Sequence, residues 1–327
     1  MLLAGDIGGT KTKLAVFSQE RGWRAPITME TFPSANYTGL EVLVREFLAK
    51  HDFKIERACF GVGGPVIEGA ATFTNLPWVM EEHQLAKDLN IPTVTLLNDL
   101  ESTANAVPFL EARDLDTINV GQPVPHGSLA VIAPGTGLGE AYLTWNGAAY
   151  QAHDSEGGHV DFAPTNLFEL ELLRYAMQHF PHVSYERVCS GKGIPNIYDY
   201  LKDSGYAQEP SWLAERLAGI KDRTPIIINT ALDPNLHCEL CSATLDTFVA
   251  ILGAEAGNLV LKVLATGGVY IGGGIPPRIL PYLHKASFMQ AFQHKGHFTQ
   301  LMSEVPVHVM LNPNTALLGA ALYGFGR

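Results

Sequence analysis

Short apolar runs alternate with amphipathic segments along the whole chain. Residues 2–7 are apolar enough to predict a strand, and residues 12–17, polar and apolar in alternation at first, predict a second. The Gly8-Gly9 pair between them predicts a hairpin turn. Leu40, Leu43, Val44, Phe47 and Leu48 fall at helical spacing. Residues 57–62 predict another strand, closed by GVGGP. Residues 92–97 predict one more, closed by Asn98-Asp99, after which Ala104 and Ala106 lie in the opening of a helix.

Past Pro108 the same alternation resumes. Residues 128–133 read as a buried strand broken by APGTGLG. Asn166, with Glu169 three residues on, marks a helix start leading into Leu167, Leu170, Leu173 and Met177. Leu245, Phe248, Val249, Leu252, Ala256, Leu259, Val260 and Val263 predict a long core helix. GGVYIGGGIPP is a strand ending in glycines and prolines, residues 305–311 a last strand, and residues 314–323 a closing helix. Strands alternating with helices, with glycine turns at strand ends, predict an α/β architecture of two similar sheets facing across a cleft.

Length and charge narrow the function. The 327 residues allow about two domains at roughly 150 residues each. With 22 Lys and Arg against 33 Asp and Glu, net charge is −11, and no basic run appears. Such a chain is a poor candidate for a nucleic-acid backbone or an anionic membrane. Four scattered cysteines, Cys59, Cys189, Cys238 and Cys241, suit a reducing cytoplasm better than a secreted disulfide scaffold. The reading finds no signal peptide and no apolar run of membrane-spanning length.

Three glycine turns are candidate anion cradles: Gly8-Gly9-Thr10, Gly135-Thr136-Gly137 and Gly272-Gly273-Gly274. Small residues let backbone N–H groups approach a phosphate. Any one of them alone is equally what a tight turn with left-handed glycines requires. Two common phosphate motifs are excluded. A Walker A loop counted from Gly5 has Thr10 where the second glycine belongs, and a strand follows instead of a helix. Gly135-Thr136-Gly137-Leu138-Gly139 lacks the dinucleotide spacing.

The segments DIGGTKTKLAV, LLNDLESTANAV, IAPGTGLGEA, EGGHVDFAP, ERVCSGKGIPNIY and GGVYIGGGIPPRIL occur in this order. Together they resemble the bacterial ATP-dependent glucokinase family, of the actin/hexokinase/Hsp70 ATPase superfamily, from about residue 3 to about residue 320. EGGHVDFAP and ERVCSGKGIPNIY are the specific signals; DIGGTK marks only the superfamily of sugar kinases. The related ROK-type kinases and repressors usually carry a zinc-binding cysteine cluster and a different His motif, and this chain shows neither. The fold expected is therefore α/β, two ribonuclease-H-like α/β domains facing across a central cleft. Residues 1–108 plus 312–327 would form the small domain and 109–311 the large one. The resemblance implies that Gly8, Gly9 and Thr10 hold the phosphates of ATP, that Lys11 adds charge, and that Asp6 orients Mg²⁺ through water. It implies that Gly135, Thr136 and Gly137 hold the phosphates from the opposite domain, with Gly272, Gly273 and Gly274 against the adenosine. A homodimer is a further expectation of the family.

Asn98 and Asp99 follow a strand and precede a helix, where either residue serves as an N-cap. For Asn98 taken alone that role suffices. Asp99 at a strand end is a carboxylate able to accept the proton of an attacking alcohol, the one covalent service phosphoryl transfer asks of protein; the resemblance gives it that catalytic role and places Asn98 and Asp99 on the sugar. Glu156 and His159, split by two glycines, are too sparse for zinc. His159 alone reads equally as a satisfied buried histidine. By resemblance Glu156, His159 and Glu186 bind sugar hydroxyls, with Asn75 a weaker contact and Trp78 beside it a core residue. Several acidic groups converging on one point suit a neutral polyol.

His237, Cys238 and Cys241 form H-C-x-x-C without a second pair at zinc-ligand spacing, and read as packing at a helix start. Asp114, Asp116 and Asp203 read as solvated charges, Asp203 in a loop. Three functions follow in order. The first is phosphorylation of D-glucose by MgATP, and the second phosphorylation of mannose, fructose or an amino sugar on the same fold. The third is a sugar- or nucleotide-binding regulator without turnover. A repressor of this superfamily would need an N-terminal DNA-binding domain, for which a phosphate turn starting at residue 6 leaves no room, and an intact Asp99 argues against a dead kinase.

Overall fold

The computed structural model describes residues 1–51, 53–72 and 76–326. They divide into two compact units. One comprises Met1–Ala112, Leu143–Asp154 and the stretch from Asn312 onward; the other comprises Arg113–Tyr142 and Ser155–Leu311.

The first unit is built on a five-stranded sheet. Its strands are β1 (Leu2–Ile7), β2 (Lys11–Phe17), β3 (Thr28–Pro33), β4 (Arg57–Val62) and, after a two-stranded ribbon of β5 (Ala70–Thr72) and β6 (Val79–Glu81), β7 (Thr93–Asn98). Spatial order is β3-β2-β1-β4-β7. β1 pairs antiparallel with β2, facing Asp6 to Lys13 and Ile7 to Thr12, and parallel with β4, which pairs parallel with β7. β1 and β4 read as continuous apolar runs because both of their faces are covered. One face packs on α1 (Leu40–Ala49) and α2 (Glu82–Leu89) through Leu3, Leu14, Phe60, Phe47 and Leu85. α3 (Asp99–Ala106) leaves the end of β7.

The second unit repeats the plan with an added edge strand and a large helical layer. β8 (Leu115–Asn119), β9 (Leu129–Pro134), β10 (Leu138–Trp145), β11 (Tyr150–Ser155), β12 (Gly268–Ile271) and β13 (Val307–Met310) lie in the order β11-β10-β9-β12-β13-β8, with the end of β10 and most of β11 falling in the first unit's Leu143–Asp154 stretch. β9 turns into β10 through Gly135–Gly137, a connection too short for anything but a hairpin. β9, β12 and β13 run parallel, and β8 closes the edge antiparallel to β13. Between β11 and β12 the chain forms α4 (Leu167–Ala176), α5 (Gly193–Asp203), α6 (Ser211–Leu217), α7 (Thr224–Leu232) and α8 (Glu239–Val263). Between β12 and β13 it forms α9 (Leu280–Leu283), α10 (Ala286–Gln293) and α11 (Thr299–Glu304). α4 starts on Asn166, whose side chain accepts the Glu169 N–H, while Glu169 reaches back to Thr165 N.

α8 corrects one sequence expectation. By length and composition it reaches what a membrane span needs, with mean hydropathy 1.3 over its most apolar window. Charged residues such as Asp246 and Glu255 break up the helix, so the sequence reads as a core helix and not as an unbroken apolar run. Some 72% of the window is buried, and the helix is apolar all round because it is the core of the second unit. Cys238 and Cys241, at its start, are buried among those core residues.

The chain ends as α12 (Thr315–Gly324) in the first unit, where Leu317, Leu318 and Ala321 cover the second face of the sheet at Leu2, Ala4, Phe17 and Cys59. Gly319 is required there because a β-carbon would strike the Ser102 carbonyl of α3.

Candidate active site

In the first unit the turn after β1 is fixed from below and open above. Gly8 N–H donates to Lys11 O at 3.1 Å. Ser34 grips the turn at both ends, its N–H on Thr10 O at 3.1 Å and its hydroxyl on Gly8 O at 2.6 Å. The Thr12 and Ser34 hydroxyls lie 3.0 Å apart and both residues are fully buried. Gly9, Thr10 and Lys11 face solvent. The glycines with left-handed φ do not include Gly8 or Gly9. Gly8 is needed for space instead, since a β-carbon there would lie 2.9 Å from Lys11 O. Asp6, one residue before the end of β1, has its carboxyl pushed up by burial and pulled back by Lys13 opposite. Lys13 is itself fixed, donating to Pro313 O at 2.7 Å and Asn314 Oδ1 at 3.0 Å.

Asn98 caps α3: Oδ1 accepts Leu100 N at 2.8 Å and Glu101 N at 3.2 Å, and Nδ2 donates to Gly64 O at 3.0 Å. Its acceptor is spent on the helix, which leaves one amide N–H for any other use. Asp99 follows as the first residue of α3. Asn75 lies outside the described residues.

In the second unit two glycine turns meet at the carboxyl ends of the parallel strands β9 and β12, where open α/β sheets bind ligands. Gly135 N donates to Gly137 O at 2.8 Å. Gly272 N donates to Ile132 O at 2.8 Å, and Gly273, at φ +84°, sits so close to the Pro134 carbonyl that no side chain fits. Gly274 is open. A third loop joins them: Gly191 N donates to Gly135 O at 2.7 Å, which brings the exposed Lys192 to the same end.

Glu156, His159 and Glu186 come together. Glu156 Oε2 lies 3.3 Å from His159 Nδ1, and Glu186 Oε2 lies 3.9 Å from His159 Nε2. Glu186 is the most enclosed of the three, and its Oε2 also accepts Leu138 N at 3.1 Å. One carboxylate thus joins the histidine to the strand that leaves the Gly135–Gly137 turn. Gly158 permits this, since a β-carbon there would strike Leu138 O, and Gly137 leaves room for the Glu186 carboxylate itself.

Three acids differ from the sequence reading. Asp114 is buried, Asp116 accepts from His284 Nε2 at 2.7 Å, and Asp203 ends α5 instead of lying in a loop, its Oδ2 accepting the Tyr175 hydroxyl at 2.6 Å. The α5 boundary was hidden because Lys202-Asp203-Ser204-Gly205 has turn composition, and the last turn of the helix runs into it. Ser34 was missed altogether: nothing near FPSANY shows that its hydroxyl meets a turn at residue 8. Gly191 lay within a quoted motif but had no distinguishing signal.

Comparison with known proteins identifies the family. A family model described as Glucokinase matches residues 3–325. A glucokinase of Nostoc punctiforme is 40% identical over 98% of both chains, and one of Synechocystis is 36% identical over 98% of this chain and 96% of its own. Among solved structures, a glucokinase from an Antarctic psychrotroph superposes with TM-score 0.82 at 32% identity, covering 100% of this chain and 99% of that one. The glucokinase of Balamuthia mandrillaris, solved in complex with glucose, shares the fold at TM-score 0.77 and 20% identity, over 98% and 92%.

Proposed function

Because the chain belongs to the glucokinase family, we propose that it transfers the γ-phosphoryl group of ATP to the 6-hydroxyl of D-glucose, giving glucose 6-phosphate and ADP. The observation that carries this reading is the Glu156–His159–Glu186 cluster, bonded through Glu186 to the strand that leaves a glycine turn. Two carboxylates and an imidazole offer the acceptors and donors that a neutral sugar's hydroxyls require. Asp99, the first residue of α3, takes the hydroxyl proton as the oxygen attacks phosphorus. The backbone N–H groups of the turns at Gly8–Thr10 and Gly135–Gly137 serve the phosphates, and Gly272–Gly274 the adenosine.

Mg²⁺ suits the first turn. Among the described residues no cluster of three or more His, Cys, Asp or Glu is placed to hold a metal, and Mg²⁺ needs none: one carboxylate, phosphates and waters suffice. Asp6, a hard oxygen donor beside a turn with no room for a side chain at Gly8, is that carboxylate. When bound, the ion neutralises charge on the transferring phosphate. The buried, free cysteines fit a cytoplasmic protein.

A panel of glucose, mannose, fructose and glucosamine with MgATP, coupled to ADP release, tests the reading. Glucose is expected to give the highest kcat/KM. Preference for another hexose would move the substrate, and no sugar-dependent ADP release would refute the activity.

A further inference from the structure

β10 buries an acid for which the proposed reaction has no use. Glu140 is 1% exposed, and among the described residues no N–H or O–H reaches either of its carboxyl oxygens. What faces it is the carboxyl of Glu255, from α8, which is fully buried too. Glu255 already accepts Lys262 Nζ at 2.9 Å on Oε1 and Asn258 Nδ2 at 2.8 Å on Oε2. Two buried carboxylates in contact cannot both ionise, so the proton the pair needs sits on Glu140, from where it is donated to Glu255. Burial first, then the charge of Glu255, push the Glu140 carboxyl up to about 8 against the opposing pull of Lys262.

This pair lies under both segments that carry the proposed sugar ligands. A β-carbon at Gly157 would strike Glu140 Oε2, so the turn between Glu156 and His159 rests directly on this carboxyl. On the other side, the Tyr185 hydroxyl accepts Asn258 Nδ2 at 2.9 Å, and the buried Cys189 feels both acids. Tyr185 and Cys189 flank Glu186. Building on the sugar-site reading above, we propose that Glu140 and Glu255 share one proton, and that this carboxyl–carboxylate hydrogen bond positions the Glu156–His159 turn and the Glu186 segment for sugar binding.

The groups facing the pair do not compete for its titration. Tyr185 and Cys189 are pushed upward by burial, so both hold their protons longer than Glu140. Lys262 is half exposed, and Lys295, which burial pushes down and the charge of Glu255 pulls back, donates to Asn258 Oδ1 at 2.6 Å.

The test compares wild type with Glu140→Gln, which keeps an N–H toward Glu255 but cannot ionise, and with Glu140→Leu, which cannot donate. The first readout is the thermal unfolding midpoint. The folded-state value lies above the unfolded one, so the stability from the bound proton is complete below about pH 4.5 and lost by about pH 8. Wild type is expected to lose ground to Glu140→Gln across that window and no further above it. The second readout is KM for glucose. It is expected to rise several-fold in wild type as pH passes about 8, to stay flat in Glu140→Gln, and to be high at every pH in Glu140→Leu. Parallel unfolding profiles in wild type and Glu140→Gln would refute the shared proton. A shared proton with the same KM profile in both would refute the positioning role. Wild type without glucose phosphorylation would refute the sugar-site reading and the positioning with it, while the unfolding comparison still decides the proton.

Discussion

In the first unit β1 and β2 meet at Gly8–Thr10, with β4 and then β7 alongside β1. In the second, β9 and β10 meet at Gly135–Gly137, with β12 and then β13 alongside β9. The third residue of the outgoing strand is Lys13 in one and Glu140 in the other. In the first hairpin a lysine offsets the half-buried Asp6. In the second, a fully buried acid faces another acid, and only a proton makes the contact tolerable. One topology therefore supports two electrostatic arrangements. The first leaves a carboxylate available at an open turn, which suits a cation and phosphates. The second keeps its charge out of reach, and the solvent-accessible Glu156 and the partly enclosed Glu186 come from the segments lying over it.

The proposed division of labour puts chemistry in the first unit and sugar recognition in the second. Its sharpest break is Asp99→Asn, which keeps the shape but cannot take a proton. Steady-state assay should show kcat lower by roughly 10²- to 10⁴-fold; turnover near wild type would remove Asp99 from the reaction. Next is Glu186→Gln, which weakens charge-assisted hydrogen bonds worth about 1.5–3 kcal/mol, or about 10- to 100-fold in glucose KM, with a smaller change for ATP. A larger effect on ATP would put Glu186 on the wrong ligand.

Lys13→Met sharpens the contrast between the hairpins. Without that charge, burial of Asp6 is unopposed and its carboxyl moves further up, so it stays protonated to higher pH. The acid limb of kcat/KM for MgATP, which reports the free enzyme, should move upward in pH. An unmoved limb would separate Asp6 from metal and nucleotide. The smallest effect is expected of Ser34→Ala, which frees the hydroxyl's bond to Gly8 O and should cost about 1–2 kcal/mol in urea denaturation, with a modest rise in KM for ATP.

What the sequence revealed follows from burial and punctuation. β1, β4 and β9 are apolar runs stopped by glycine, and β7 is stopped by Asn98-Asp99, so their positions were legible to within a residue. The edge strands β3, β8 and β11 were not, because TMETFP, LDTIN and YQAHDS carry the mixed polarity of a half-covered strand and lack a second buried face. The glycine turns and the Glu156, His159 and Glu186 motifs stood out by composition and resemblance. Glu140 lay in the quoted segment IAPGTGLGEA without notice. An acid in a short strand reads as solvated unless its partner, here 115 residues away in Glu255, is known to face it.

The most direct test of this division is a calorimetric titration of glucose into Asp99→Asn and Glu186→Gln side by side with wild type. The account predicts that Asp99→Asn binds glucose close to wild type although its turnover is lost, while Glu186→Gln binds it at least about tenfold more weakly. Glucose binding lost in Asp99→Asn and kept in Glu186→Gln would contradict it.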